Sequence, residues 1–226
     1  MTAAATARRW TAIVPVKPTS VGKSRLACAP EDRAELAQAI ALDTIAAVAA
    51  CVRVARVLVV TDDPAVGTLA GCLPRVEVVA EHGPRGIEAA LALGAAVAGI
   101  RTRRVAVLAD LPMLDPAELA DLLERAQHVR RGVVADADST GSTMITARTG
   151  EPWRSGFGQE SLRRHRELGF TPFALPSTSS LRRDVDTLAH LRPLRDRAHE
   201  TRTARALDRI TLAAPEAAGA QSSARP

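Results

Sequence analysis

The stretch "AIVPVKPTSVGKSRLA", residues 12–27, passes from an apolar run into a loop that carries Lys17, Lys23 and Arg25. Lys17 and Lys23 are the only lysines in a chain with 30 Lys+Arg, and both flank the approach to Gly22. Ammonium groups act on a polyphosphate as point charges, and a glycine lets the backbone come close to it. The four residues "VGKS" look like half of a P-loop, but that pattern requires glycine at position 17, where lysine stands, so this is not a Walker A motif. A loop whose charges are merely solvated is the competing reading.

Two further acidic positions attract attention. Asp110 closes the apolar run "VAVLA", where a carboxylate must be solvated, hydrogen-bonded or bound to a cation; a turn-forming role ahead of Pro112 is the alternative. In "RRDVDT", Asp184 and Asp186 point to one side of an extended segment and Val185 to the other. Asp186 suits the N-cap of a following helix equally well. Mg²⁺ takes one or two carboxylates and completes its octahedron with water and substrate phosphates, a demand that Asp110 with Asp186 meets.

"STGST" and "GFGQES" combine hydroxyls with glycines, and place Ser142, Thr143, Gly158 and Ser161 as candidates for holding a carboxylate or phosphate. A helix opened by Gly158 would aim its N-terminal dipole at such an anion, although turn chemistry and a capping box explain the same residues. Arg163, Arg164 and His165 on that helix read as a solvated face. No Ser-His-Asp or Cys-His arrangement and no zinc spacing stands out. Cations, carboxylates and glycines without a protein nucleophile suit transfer of a phosphoryl or nucleotidyl group to an acceptor that is already nucleophilic.

These residues need a scaffold, and short apolar runs alternating with helical patterns indicate βαβ units in an α/β sandwich. Strands are expected at 11–16, 55–61, 76–81, 104–109, 132–137, 142–147 and 171–176, and helices near 31–52, 64–71, 85–99, 116–130, 158–168 and 187–197. In such a sheet ligands bind beyond the carboxyl ends of the strands, which is where the residues above fall. A flexible 1–10, one domain over 11–212 and a disordered tail over 213–226 are expected, the tail "AAPEAAGAQSSARP" having little apolar bulk. There are no internal repeats.

At 226 residues and 46% hydrophobic content, one sizeable core suffices. The net charge of +5 comes from scattered arginines, and with no Tyr, three Phe and two Trp the chain lacks the stacking platforms of single-strand binders, so nucleic acid is not an expected partner. Cys28, Cys51 and Cys72 form no CxxC pair and read as reduced, mostly buried thiols. No apolar run is long enough for a membrane span, and the basic start does not make a signal peptide. A cytoplasmic location is expected, and a homodimer is left open.

The ordered series "VPVK…GKSRLA", "VVTDD", "ADLPML", "D…TGST", "FGQES" and "DVDT" resembles the guanylyltransferases of deazaflavin coenzyme F-420 biosynthesis, which act on 2-phospho-L-lactate or phosphoenolpyruvate. The resemblance runs from about residue 11 to 197. It implies a single-domain GT-A-like (Rossmann-like) nucleotidyltransferase fold that joins GMP from GTP to a phosphorylated three-carbon acid and releases pyrophosphate. It implies Mg²⁺ on Asp110 and Asp186, and acid-binding residues at Ser142, Gly158 and Ser161. The chain departs from the family pattern at Ser142, usually Thr; at Thr143, often Asn; at Glu88, where "GIE" replaces "GLN"; and at Leu188, usually Pro. The alternatives are a nucleotidyltransferase of the same fold with another NTP or acceptor, of molybdopterin or sugar-phosphate type, and a non-catalytic nucleotide-binding module.

Overall fold

The computed structural model describes residues 10–18, 29–81, 86–195 and 201–213. The residues 19–28, which include Lys23, Arg25 and Cys28, and the expected tail beyond Ala213 lie outside the described residues.

Strand β1 (Trp10–Pro15) is buried at all six positions. A strand covered on both faces reads as a continuous apolar run, as this one does. It starts at Trp10, a residue earlier than expected, because the indole is only 1% exposed. The chain continues through α1 (Pro30–Ala50), β2 (Val54–Val60), α2 (Pro64–Gly71), β3 (Val76–Val79), α3 (Ile87–Ala98), β4 (Arg103–Val107) and α4 (Pro116–Ala126). Then come β5 (Arg131–Ala135), β6 (Ser142–Ala147), α5 (Ser161–Glu167) and β7 (Thr171–Pro172). Local chemistry explains the helix starts. Prolines occupy the first turn of α1, α2 and α4, where a missing N–H costs nothing. Asp63 caps α2 by accepting from the amides of Ala65 (3.0 Å) and Val66 (3.1 Å), and Asp115 caps α4 through Ala117 at 2.7 Å.

Among the described residues the sheet has seven strands in the order β3-β2-β1-β4-β6-β5-β7. β1 pairs in parallel with both β2 and β4, β2 with β3 and β5 with β7, while β6 runs antiparallel to β4 and β5. The expected mostly parallel sheet flanked by helices is therefore present. Chain order reverses at β1, whose neighbours are the second and the fourth strands. Such a switch point opens a crevice beyond the carboxyl ends of β1 and β4. Close packing keeps the layers tight there: a Cβ on Gly94 of α3 would lie 2.4 Å from Ile13 Cγ2 on β1.

Several expected elements differ. Residues 171–176 form only a two-residue strand, since Pro172 and Pro176 cannot donate to a ladder. The expected helix 187–197 is a 3-10 turn (Leu188–Leu191) followed by the four-residue α6 (Arg192–Arg195), with Pro193 tolerated only in a first turn. The helix expected from 158 begins at Ser161. A further helix, α7 (Arg202–Ala213), was not expected. Asp43 on α1 holds it, accepting from the Arg202 amide (3.1 Å) and from the Thr203 amide and hydroxyl (2.7 Å each). Cys51 is buried as expected, whereas Cys72 is exposed.

Candidate active site

The apolar strand β4 delivers Leu108, Ala109 and Asp110 to the crevice. Two buried contacts fix that end. The Thr44 hydroxyl on α1 donates to the Ile40 carbonyl (2.9 Å) and accepts the Leu111 amide (3.0 Å). The Leu108 amide donates to the Thr143 carbonyl at 3.0 Å. The 183–187 segment is then laid against the strand end by a bond from the Val185 amide to the Asp110 carbonyl, 2.9 Å. Val185 is fully buried, so alternation turns Asp184 and Asp186 the other way, toward Asp110.

Asp110, Asp184 and Asp186 each place one carboxylate oxygen within 4.8 Å of the others. Burial raises the Asp184 carboxyl from 3.8 to about 6, with the charges of Asp110 and Asp186 adding to the push. Three half-buried carboxylates at this spacing repel one another, and an all-oxygen donor set suits a hard cation. The capping alternative for Asp186 does not hold: Thr187 is the N-cap residue of the 3-10 turn at 188–191. Asp110 does lie in a turn ahead of Pro112, as its alternative reading has it, and its carboxylate is grouped with two others. Asp184, which the sequence shows on the same side as Asp186, completes the group.

The rest of the site is built from β6, α5 and two turns. Ser142, Gly158 and Ser161 line the cleft. Thr143 does not: it is 1% exposed, and its hydroxyl donates to the Leu181 carbonyl at 2.6 Å. Successive residues of a strand face opposite ways, so Ser142 reaches the cleft while Thr143 ties the 180–186 segment to the sheet. The 136–141 turn is closed by the Asp136 carboxylate, which accepts from the amides of Thr140 (3.0 Å) and Gly141 (2.7 Å). Arg182 clasps the same turn through the Asp136 carbonyl (2.8 Å) and the Ser139 hydroxyl (2.8 Å).

Gly158 has φ +117° and lies in the turn ahead of α5 rather than at its start, which corrects the helix-dipole expectation. Glu88, at the N-terminal end of α3, accepts the Phe157 amide (2.7 Å) and the Ser155 hydroxyl. Its charge is used to hold the 155–157 turn. Arg163 and Arg164 are exposed as expected, but His165 is not on a solvated face: it is 0% exposed. Its ring lies edge-on to Phe157 and Phe170, and its nitrogens bond Ser142 Oγ and the Gly156 amide, both at 3.0 Å. An internal position among three arginines on a seven-residue helix gives no signal in the sequence that singles it out.

These elements border a cleft of roughly 730 Å³. Lys17, exposed just past β1, lines it together with Asp110, Asp184 and Asp186 and with Ser142, Gly158 and Ser161. The structure thus brings together seven residues on which sequence reasoning placed chemistry or orientation. A volume of this size accommodates a nucleotide-sized ligand.

An open, mostly parallel sheet with carboxylates and a lysine at its switch point is the architecture of nucleotidyltransferases. A solved structure from Desulfovibrio desulfuricans G20, provisionally assigned as a nucleotide-diphospho-sugar transferase, superposes with a TM-score of 0.66 over 90% of this chain and 95% of that one, at 17% identity. That likeness defines the fold. Residues 10–169 match the family described as guanylyl transferase CofC like, and the chain belongs to that family. It is 41% identical to a phosphoenolpyruvate guanylyltransferase of Streptomyces coelicolor, over 91% of this chain and 99% of that one. A phosphoenolpyruvate guanylyltransferase of Salinispora arenicola is 44% identical, over 80% of this chain and 86% of that one. The chain is accordingly a nucleotidyltransferase of the guanylyltransferase kind in coenzyme F-420 biosynthesis. No helix among the described residues is long and apolar enough to cross a membrane.

Proposed function

We propose that the protein is a cytoplasmic enzyme that transfers GMP from GTP to phosphoenolpyruvate and releases pyrophosphate. The observation that carries this reading is a single cleft lined by three grouped carboxylates and a lysine together with small hydroxyls and a glycine turn. The carboxylates and lysine suit a triphosphate with its cation, and the hydroxyls and glycine turn suit a small multiply charged acid.

Lys17 lies on the triphosphate side, and Lys23 and Arg25, outside the described residues, belong to the same cationic segment in the sequence. Asp110 and Asp186, joined by Asp184, would hold Mg²⁺, which when bound supplies charge neutralisation at the triphosphate. Ser142, Ser161 and the backbone at Gly158 orient the acid so that its phosphate oxygen faces the α-phosphorus of GTP. The new P–O bond forms as the bond to the β-phosphate oxygen breaks, and pyrophosphate carries the leaving electron pair. The acceptor oxygen is already deprotonated at neutral pH, so no protein base is required.

The test is pyrophosphate release with four NTPs against phosphoenolpyruvate, 2-phospho-L-lactate and 3-phosphoglycerate in Mg²⁺. Turnover is expected with GTP and phosphoenolpyruvate. Preference for another NTP, or for another acid, would refute the assignment, and GTP binding without turnover would make the chain a non-catalytic module.

A further inference from the structure

His165 is a fully buried titratable group that the scheme above leaves unused. Its two nitrogens face chemically different partners. Nε2 lies 3.0 Å from the Gly156 amide nitrogen. A backbone N–H only donates, so Nε2 must present its lone pair, and the proton of the neutral ring sits on Nδ1. Nδ1 in turn lies 3.0 Å from Ser142 Oγ. With Nδ1–H donating, toward Ser142 Oγ and the Ser161 carbonyl, Ser142 Oγ can only accept from the ring, and its own proton is available to another acceptor. Ser142 lines the cleft, so the acceptor that fits is an oxygen of an anion bound there.

The ring cannot easily change this arrangement. Phe157 and Phe170 meet it edge-on at 4.8 Å and 5.1 Å between centroids, which excludes water and blocks a ring flip. The second bond also reaches the cleft. Gly156 is held by His165 and Phe157 by Glu88 at 2.7 Å, and these consecutive anchors set the path of the chain into Gly158, whose φ of +117° marks the turn at the cleft wall.

We propose that His165 is a positioning residue of the acid subsite: as the Nδ1–H tautomer it turns Ser142 into an obligate donor toward a carboxylate or phosphate oxygen, and it pins the glycine turn beside that donor. The inference rests on the acid-binding role proposed above for Ser142. It predicts specificity of effect, because the hydrogen bonds of the His165 ring go to Ser142 and the Gly156 amide and not to Lys17 or the three carboxylates.

Two measurements test it. In pyrophosphate-release kinetics, His165→Phe keeps an aromatic ring between Phe157 and Phe170 but removes both hydrogen bonds. The KM for phosphoenolpyruvate is expected to rise at least about tenfold, the scale of one lost hydrogen bond to a charged group, while the KM for GTP stays within about twofold. His165→Asn, whose amide can donate from the Nδ1 position, is expected to recover part of that loss. A common rise in both KM values, an unchanged acid KM, or an Asn variant no better than Phe overturns the role. On the wild-type protein, ¹⁵N-resolved imidazole NMR is expected to show a protonated-type Nδ1 and an unprotonated-type Nε2. The opposite tautomer overturns the proposal even if the Phe variant fails to fold. Wild-type protein that turns over no acid would instead remove the functional reading on which the proposal stands, so the two failures are separable.

Discussion

Replacing Asp184 by Asn probes the carboxylate cluster with opposite expectations in the presence and absence of a cation. At 4.8 Å, the outer spacing of the three ligand oxygens, one pair of charges interacts by about 0.9 kcal/mol in bulk water and about 3.5 kcal/mol at an effective dielectric near 20. Asp184 faces two such partners but is partly exposed, so removing its charge should relieve about 1 to 3 kcal/mol. For a chain of this size, about 1 kcal/mol moves the melting temperature by about 2–4 °C. In EDTA at pH 8, Asp184→Asn is therefore expected to melt several degrees above the wild type. The folded-state carboxyl is raised from 3.8 to about 6, so its ionisation opposes folding above pH about 6. The advantage of the Asn variant should shrink as pH falls from about 6 toward 3.8. Saturating Mg²⁺ should reverse the order, since a ligand at about 100 times its Kd stabilises by about 2.7 kcal/mol and the variant has lost one of its ligands. Differential scanning fluorimetry over the pH and Mg²⁺ grid reads all of these effects. An Asn variant less stable than the wild type in EDTA, or equally stabilised by Mg²⁺, would show that the three carboxylates do not act as one electrostatic unit.

Thr44→Val keeps the shape of the side chain but leaves the buried Leu111 amide without its acceptor at 3.0 Å; a loss of about 1–3 kcal/mol is expected in urea melts, with weaker Mg²⁺ binding by calorimetry. Gly141→Ala would put a methyl against Asp136 Oδ2, so the carboxylate that closes the 136–141 turn must shift off the amides it holds; an acid KM raised about tenfold or more, with GTP binding kept, is the outcome expected from kinetics. His165 has its pKa lowered from 6.5 to about 4, first by burial and then by the charge of Arg164, against the opposing carbonyl of Ser161. Its neutral form thus contributes stability that is complete above pH about 6.5 and is lost as pH falls toward about 4, a loss of about 3 kcal/mol. Denaturant melts at both ends of that window should show the dependence in the wild type and a flatter profile in His165→Phe.

The sequence reveals one wall of the cleft better than the other, for physical reasons. Residues 105–109 are a continuous apolar run, so a carboxylate at its end is conspicuous, and the alternation in "DVD" places Asp184 beside Asp186 before any fold is known. The other wall depends on long-range pairing. That Ser142 faces the cleft while Thr143 faces the core follows from where β6 sits between β4 and β5; the two hydroxyls are equivalent in the sequence. His165 lies among arginines, and only the packing of Phe157 and Phe170 around it shows that it points inward. Glu88 reads as a departure from a family amide, yet its bonds go to residues 155 and 157, far along the chain. Helix α7 escaped notice because its anchor, Asp43, lies 160 residues from Thr203.

This division has a consequence for how the two substrates are recognised. The carboxylate wall hangs on β1, β4 and α1, the parallel centre of the sheet, and the 183–187 segment is tied to it through a backbone bond to Asp110. The hydroxyl wall hangs on the antiparallel strand β6 and on turns held by side chains from α3 and α5. Thr143 and Arg182 tie the hydroxyl-bearing elements to the segment that carries Asp184 and Asp186. Substitutions at 88, 142 or 165 can therefore alter the fit to the acid while the triphosphate wall keeps its geometry. The departures from the family pattern at Glu88 and Ser142 both fall on the wall that can change independently. Under the proposed assignment of the hydroxyls to the acid, these two positions would tune recognition of that substrate.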